Sequence, residues 1–346
     1  MAGRCPAAVA GTLLVAAALG CDTARGPVFD WGDGGSPSTS QCGAGLACGL
    51  RGEYFQMPSY EGRAFNAGAL VLTRVDPQVS FDWGSGAPDP ALQAQFLVRW
   101  TGFLRVPPNG AAGGQSYRFT VRADDGVRLW VDERPLIDDW NDHTATEDTG
   151  DVTLAAGASV PIKLEYYQHM GTASVALAWT PPGQPSAPIP TSELSPPPET
   201  NGLVGTYFAG ASFDTTAVTR VDQDVAFRWG LDSPDPAVPT DHFSARWTGT
   251  IEARYSELFT FTARVAETNE GVRLTVNDAP VIDAWNAPAA PPTIESQGTI
   301  ALEAGRRHPI TLEYSESIGG ARLELLWASA SQPETRVSWS RLRPGP

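Results

Sequence analysis

The sequence predicts an all-β protein of two tandem antiparallel β-sandwich (flattened barrel) domains joined by a proline-rich linker. Three observations predict this fold. An internal repeat covers most of the chain, apolar residues recur with a period of two inside each copy, and 30 prolines and 35 glycines leave few long helix-forming runs. A chain of 346 residues is long enough for two domains with separate cores.

Residues 1–21 have the features of a secretory signal. Arg4 supplies a positive charge, and the apolar stretch at 7–19 is shorter than the roughly 20 residues that span a bilayer. The closing "ALGC" resembles the lipobox of bacterial lipoproteins. This resemblance implies lipidation at Cys21 and display on a bacterial cell envelope, at an inner or outer membrane. An ordinary signal that is cleaved nearby is the alternative.

Residues 22–48 are rich in Gly, Ser, Pro and Thr, which is typical of a flexible tether. Cys42 and Cys48 bracket a short loop near its end. In an exported protein such a pair predicts a disulfide, because a metal site would need more ligands than this segment offers.

Residues 49–194 and 202–343 are two copies of one domain, separated by a linker at 195–201. "GLRGEYF" in the first copy corresponds to "GLVGTYF" in the second, and "GVRLWVDERPLIDDWN" corresponds to "GVRLTVNDAPVIDAWN". Eight of the 11 tryptophans form four matched pairs. These pairs are Trp83/Trp229, Trp100/Trp247, Trp140/Trp285 and Trp179/Trp327.

Within each copy, apolar residues alternate with polar ones, as at Phe96, Val98 and Trp100. This alternation indicates strands with one face on a core and one in water. We expect eight or nine strands per copy, with the matched tryptophans as core or seam residues. The two sandwiches are expected to be independent on their proline-rich hinge, so that proteolysis cuts between them.

These motifs resemble the PA-fourteen domain family, the β-sandwich first seen in the protective antigen of a bacterial toxin. "GLRGEYF", "YRFTVRADDGVRLWVD" and the closing "KLEYYQHMGTASVALAW" carry the resemblance. It implies a noncatalytic module of the kind found in toxins, adhesins and carbohydrate-active enzymes. Its best understood members, the fungal flocculins and related adhesins, bind glycans through calcium.

In those members, two adjacent aspartates joined by a cis peptide bond hold the ion just before the "GVRLWV" strand. Asp124 and Asp125 occupy that place here, so the resemblance implies a calcium site. Calcium prefers six to eight oxygen ligands, including carboxylates, and sugar hydroxyls can complete its coordination. From the residues alone, Asp-Gly is also a strong signal for a solvated hairpin turn.

The segment "WNDHTATED" is a candidate second wall of the site. It offers Trp140, Asn141, Asp142 and His143 as ligand-binding residues, with a plain polar surface loop as the alternative. The nearby "YYQHMGTA" hairpin offers Gln168 or His169 as a further guess.

The second copy departs from this pattern. Asn269 and Glu270 stand where the first copy has its aspartates, and three residues are inserted before them. The counterparts of Asp142 and His143 are missing as well. We therefore expect the second domain to be degenerate, either a structural spacer or a module that binds differently.

Charge and motif content argue against two other classes of function. The net charge is −15 and Lys163 is the only lysine, whereas nucleic-acid binding needs a basic face. No enzyme is expected, because the four histidines lack zinc-like spacing and no G-x-S-x-G motif occurs. Asp125 and Asp139 are possible paired acids for glycoside hydrolysis, but the repeats leave no room for a catalytic domain.

The sequence therefore predicts an exported, membrane-anchored, lectin- or adhesin-like protein. Its expected partners are glycans or cell-surface polysaccharide, with calcium-assisted binding in the first domain. A structural or protein-interaction module of the cell envelope, without lectin activity, is the alternative.

Overall fold

The computed structural model describes residues 48–57, 63, 65, 70–108, 113–198, 201–266, 269–285 and 295–345. The expected signal, the lipidation site Cys21, most of the tether and Cys42 lie outside these residues. Cys48 is disulfide-bonded, and its expected partner Cys42 is one of the residues outside the described part. Within the described ranges, no helix is long and apolar enough to cross a membrane.

The first domain contains twelve strands among its described residues. They are β1 (Leu50–Gln56), β2 (Leu70–Asp76), β3 (Ser80–Gly84), β4 (Phe96–Arg105), β5 (Gln115–Asp124), β6 (Val127–Val131), β7 (Arg134–Asp139), β8 (Thr146–Leu154), β9 (Ser159–Gln168), β10 (Ala173–Thr180), β11 (Ala187–Pro188) and β12 (Leu194–Ser195).

The second domain repeats this order with twelve described strands. They are β13 (Leu203–Ala209), β14 (Thr215–Asp222), β15 (Ala226–Gly230), β16 (Phe243–Glu252), β17 (Glu257–Val265), β18 (Gly271–Val276), β19 (Ala279–Asp283), β20 (Glu295–Leu302), β21 (Arg307–Glu316), β22 (Ala321–Ser329), β23 (Gln332–Arg336) and β24 (Leu342–Pro344). Single 3-10 turns at Thr191–Glu193 and Trp339–Arg341 precede the last strand of each domain.

Each domain stacks a seven-stranded sheet on a five-stranded one, with antiparallel pairing between the named strands. The large sheets run β2-β1-β4-β9-β6-β7 and β14-β13-β16-β21-β18-β19, with β12 on β4 and β24 on β16. The small sheets run β11-β10-β5-β8 and β15-β22-β17-β20, with β3 on β10 and β23 on β22. The all-β fold of two tandem sandwiches is confirmed, and the described strands of each domain do not close into a barrel.

The expected count of eight or nine strands per copy was too low. The additional elements include the two-residue strands β11 and β12, which pair with β10 and β4. Alternation over two residues cannot be distinguished from a loop, so only the pairing partner reveals such strands. β12 and β24 also extend one residue beyond the expected domain ends at 194 and 343.

The core of each domain lies between its two sheets. Three of the four matched tryptophan pairs pack in these cores: Trp83/Trp229, Trp100/Trp247 and Trp179/Trp327. The fourth pair, Trp140 and Trp285, is only half-buried. Three pairs are therefore core residues, and Trp140 of the fourth pair packs at the edge of a smaller buried cluster, as expected of a seam residue.

A buried aspartate explains the repeated "G-x-Y" and "TRVD" motifs. Asp76 is 3% exposed and accepts hydrogen bonds from the Tyr54 hydroxyl at 2.6 Å and from Trp100 Nε1 at 2.7 Å. Arg74 Nε lies 2.7 Å from its other oxygen. A Cβ at Gly52 would lie 2.3 Å from Asp76 Oδ2, so glycine is required there. The charge is buried but fully paired, which is the condition for its stability.

The second domain repeats this network around Asp222. Tyr207 and Trp247 donate to the same carboxylate oxygen at 2.6 and 2.8 Å. Arg220 Nε donates to the other oxygen at 2.8 Å. The motif shared by the two copies is therefore a structural one that holds β1 and β4 to β2, and β13 and β16 to β14.

The two domains contact each other through ion pairs. Lys163 on β9 is 8% exposed, and its Nζ lies 3.1 Å from Asp224 Oδ2 in the second domain. Arg254 pairs with Asp132 at 3.0 Å, and Arg341 pairs with Glu133 at 2.7 Å. The sandwiches are therefore in contact, while their independence on the hinge and the expected proteolysis between them stay predictions.

Two of the carboxylates at this interface lie in a tight turn. Asp132 and Glu133 join β6 to β7 with φ of 51° and 66°, the left-handed backbone of a two-residue type I′ hairpin. This turn places both carboxylates at the end of the large sheet. There they pair with Arg254 and Arg341 of the second domain.

The single lysine provides a test of this interface. Because Lys163 is buried and paired with Asp224, we expect an amine-reactive reagent to modify it at least about tenfold more slowly in the folded chain than in urea, a ratio that corresponds to about 1.4 kcal/mol of opening free energy. Peptide mapping by mass spectrometry separates this signal from that of the terminal amine.

Asp224→Ala should speed the reaction without unfolding the chain. Asp151→Ala is the matched control, because Asp151 pairs with Arg118 on an exposed surface. Modification of Lys163 at the unfolded rate in the native protein would contradict the interface.

Candidate functional site

The segment Asp124–Gly126 crosses from one sheet to the other. β5 belongs to the five-stranded sheet and β6 to the seven-stranded sheet, so this segment is not a hairpin turn. Asp124 and Asp125 are 7% and 4% exposed. The alternative of a solvated Asp-Gly hairpin is therefore wrong. The peptide bond between the two aspartates is cis, as the resemblance implies.

The glycine of this segment permits close packing. A Cβ at Gly126 would lie 2.2 Å from a ring atom of Tyr167, so a side chain cannot fit there. The Tyr167 main-chain N–H in turn donates to the Gly126 carbonyl at 3.0 Å. The glycine after Asp125 is therefore needed for close packing against β9 and not for a turn.

The Asp125 carboxylate joins two neighbouring loops. Its Oδ1 accepts the main-chain N–H of His143 at 3.1 Å, and its Oδ2 accepts those of His169 and Met170 at 2.9 and 3.2 Å. These donors lie in the β7–β8 loop, which was expected to wall the site, and in the β9–β10 hairpin, which was expected to add Gln168 or His169. The structure brings both segments to Asp125 through main-chain N–H groups.

The Asp124 carboxylate is less occupied. Its Oδ2 accepts the Thr172 hydroxyl at 2.9 Å, and its main-chain carbonyl accepts the Tyr166 hydroxyl at 2.5 Å. Within the described part of the chain, its Oδ1 receives no hydrogen bond. Burial raises the pKa of Tyr166, and the charges of Asp125 and Asp124 raise it further, so its hydroxyl remains a neutral donor.

The four residues of the expected second wall have different roles. Trp140 is half-buried, with the Arg128 guanidinium 3.9 Å above its ring and the Tyr167 ring at 4.7 Å. The Trp140 ring therefore packs against the protein and does not offer a free aromatic face to a ligand. His143 contributes its main-chain N–H to Asp125, while its ring lies 3.5 Å from Asp139.

Asp142 is held by the protein itself. It accepts the Tyr167 hydroxyl at 2.7 Å and pairs with Arg63 at 2.9 Å and with His169 at 3.0 Å. Burial acts to raise its pKa, but the hydrogen bonds from Tyr167 and His169 and the charge of Arg63 outweigh burial and lower it. Asp142 is therefore an ionised brace between two loops.

Asn141 is the exposed member of the set. Its Nδ2 donates to Asp139 Oδ1 at 2.9 Å. This hydrogen bond orients the side chain and leaves its amide oxygen available as a ligand. Sequence reasoning missed Thr172 and Met170, whose positions follow from the β9–β10 hairpin rather than from any motif. It also gave Gln168 no definite role, and Gln168 braces the hairpin by donating to the Met170 carbonyl at 2.9 Å.

The corresponding place in the second domain is closed by its own contacts. The Glu270 carboxylate accepts the Tyr314 hydroxyl and the main-chain N–H of Arg322. Asn269 Nδ2 donates to the Ile318 carbonyl at 2.7 Å. In the first domain the equivalent tyrosine is Tyr166, whose hydroxyl donates to the main-chain carbonyl of Asp124. The carboxylates of Asp124 and Asp125 are therefore left for other partners.

Buried carboxylates require compensating charge. Within the described residues, no Lys, Arg or His side chain lies within ion-pair distance of Asp124 or Asp125. Also within them, no three His, Cys, Asp or Glu side chains group as a metal site. The protein therefore offers two adjacent, buried carboxylates that have no cationic partner among the described residues.

Similar proteins fall into two groups. Anti-sigma-I factor RsgI3 of Acetivibrio thermocellus is 37% identical over 300 residues, which cover 85% of this chain and 44% of that protein. A solved anti-sigma factor domain-containing protein from Clostridium clariflavum is 29% identical over 86% of this chain and 99% of its own, with a TM-score of 0.41. A solved PA14 sugar-binding domain from an RTX adhesin is 20% identical over 44% of this chain and 99% of its own, with a TM-score of 0.38.

The family model of the PA14 domain matches residues 51–193 and 199–345. These ranges coincide with the two sandwiches and with the two sequence repeats, and together they cover most of the chain. The chain therefore belongs to the PA14 domain family, as a tandem pair of its domains.

Proposed function

We propose that this protein binds carbohydrate, with a calcium-assisted glycan site in its first domain. One observation carries the proposal: Asp124 and Asp125 are adjacent, buried carboxylates without a cationic partner in the described part of the chain. Burying an uncompensated charge is costly, so such a pair calls for a cation.

The donor chemistry fits calcium, which binds oxygen ligands including carboxylates and carbonyls. Asp124 and Asp125 would hold the ion, with the amide oxygen of Asn141 as a third ligand. Bound calcium would neutralise the two carboxylates and offer open positions to vicinal sugar hydroxyls. The protein supplies only part of the coordination shell, which leaves room for a ligand.

The surrounding residues fix the walls of the site. Asp125 ties the β7–β8 loop and the β9–β10 hairpin together through three main-chain N–H groups. Trp140 and Asp142 brace the same loop from within. Binding loops on a rigid sandwich lose little conformational entropy when a ligand binds, which favours affinity.

The second domain is proposed to be a degenerate copy. Its Glu270 carboxylate is occupied by Tyr314 and by a main-chain N–H, and Asn269 is neutral. Neither position offers the paired charge on which a divalent cation depends.

A glycan array tests the proposal on the full chain, with and without a calcium chelator. We expect binding that the chelator abolishes. Asp125→Asn should remove it, whereas Glu270→Gln, at the matched position of the second domain, should not. Binding that ignores both the chelator and Asp125→Asn would contradict a calcium-assisted site.

A second candidate function is protein interaction without lectin activity. The three N–H groups on Asp125 also suit an aspartate that only organises loops. The 37% identity to a protein named as an anti-sigma factor favours a protein partner. An empty glycan array, together with unchanged stability in calcium, would support this candidate.

We further propose that the chain is exported, noncatalytic and lipid-anchored at Cys21 on a bacterial envelope. The lipobox-like "ALGC" supports this location. Release of the protein from the membrane fraction after Cys21→Ala would support the anchor, and an unchanged fraction would exclude it.

A further inference from the structure

A cleft of about 690 Å³ lies between the two domains. One wall is the outer face of the first large sheet, with Arg51 and Thr73 on β1 and β2. The other wall is the end of β14 and the following turn, Val221–Asp224. Asp124, Asp125 and the 140–143 loop do not line it, so the cleft is separate from the proposed calcium site. Its volume is that of a small-molecule or oligosaccharide site.

Ion pairs hold the two walls in position. Asp224, on the second wall, pairs with Lys163 of the first domain at 3.1 Å. Arg99, on the first wall, is fixed by Glu165 at 3.2 Å. The cleft is therefore a preformed site between domains, a common location for ligands.

The charges that line the cleft cancel. Among its described lining residues are four arginines and four carboxylates, so their formal sum is 4 − 4 = 0. They are paired within the protein: Arg51 with Glu53 at 3.3 Å, and Arg220 with Asp222 and Asp235 at 2.8 and 3.2 Å. A charged ligand would have to break such pairs, whereas a neutral polar ligand can use the remaining N–H groups and oxygens.

Exposed apolar side chains on both walls favour ligands with apolar faces. Leu70 and Val221, on opposite walls, are 41% and 44% exposed and suit the C–H faces of sugar rings.

We propose that this interdomain cleft is a second, calcium-independent binding site for a neutral oligosaccharide segment. It goes beyond the site in the first domain, because it needs both domains and no metal. A polysaccharide held there bridges the two sandwiches, which gives the degenerate second domain a role in binding.

Calorimetry in a chelator separates this site from the calcium site. The full chain carrying Asp125→Asn is titrated in EDTA with cellohexaose, xylohexaose and mannohexaose, and with a hexauronate as the charged comparison. We expect at least one neutral hexasaccharide to bind and the hexauronate to bind at least about tenfold more weakly. Failure of the proposed calcium site does not affect this titration.

Bulky substitutions on each wall locate the binding. Thr73→Trp and Val221→Trp replace exposed side chains and should each weaken binding more than about tenfold, by filling the cleft. Leu258→Trp is the control, since Leu258 is exposed on β17 and does not line the cleft. Melting curves of all three variants should match that of the parent.

Three outcomes would overturn the proposal. They are no binding of any neutral hexasaccharide, preference for the hexauronate, and equal losses in Leu258→Trp and in the cleft variants.

Discussion

Asp76→Ala is expected to lower the free energy of unfolding of the first domain by about 3–5 kcal/mol, because it leaves buried donors and a guanidinium without their shared acceptor. Tyr54, Trp100 and Arg74 converge on this carboxylate at 2.6–2.7 Å. Urea denaturation measures the change. Asp222→Ala should have the same effect on the second domain, because its network is the same.

Asp151→Ala is the matched control. Asp151 makes a two-bond pair with Arg118 at 2.9 Å, but both side chains are at least half exposed. Exposed pairs are worth about 0–1 kcal/mol, so its loss should be small. An equally small effect of Asp76→Ala would show that the repeated network does not hold the domain together.

Calcium is expected to raise the melting temperature of the first domain by several degrees. A ligand that binds the native state at a hundredfold excess over Kd stabilises it by about 2.7 kcal/mol. For a domain of this size that is roughly 5–10 °C. Differential scanning calorimetry of the full chain measures the shift.

Asp125→Asn should abolish the calcium shift, because it removes one of the two carboxylates without a cationic partner in the described chain. Glu270→Gln should leave the shift unchanged, because the Glu270 carboxylate is bound by Tyr314 and Arg322. Without calcium, Asp125→Asn is expected to destabilise the first domain, because an amide keeps only one acceptor oxygen for the three main-chain N–H groups that Asp125 binds. Equal responses of the two variants, or none in the parent, would favour the protein-interaction candidate.

The two proposed glycan sites would act together on one polysaccharide. The proposed calcium site lies on loops of the first domain, whereas the proposed cleft site needs both domains in fixed orientation. Linked sites gain avidity when one ligand reaches both of them, without any new contact.

The sequence alone determined the tandem organisation and the sandwich fold, and it placed Asp124 and Asp125 just before the strand that begins at Val127. Repeats and alternation suffice for this, because period two follows from strand geometry and the copies confirm each other's boundaries. It misjudged the Asp-Gly signal, since whether β5 and β6 share a sheet depends on pairing with distant strands.

Only the tertiary structure decided what each site residue does. Asp125 meets His143 and His169, which are 18 and 44 residues away in sequence, and such contacts follow from sheet register and not from local pattern. The same holds for Trp140, because only the structure shows that its ring packs between Tyr167 and Arg128. The pair of Lys163 with Asp224, and with it the interdomain cleft, depends on how two finished domains pack, because no local preference encodes a contact between residues 61 positions apart.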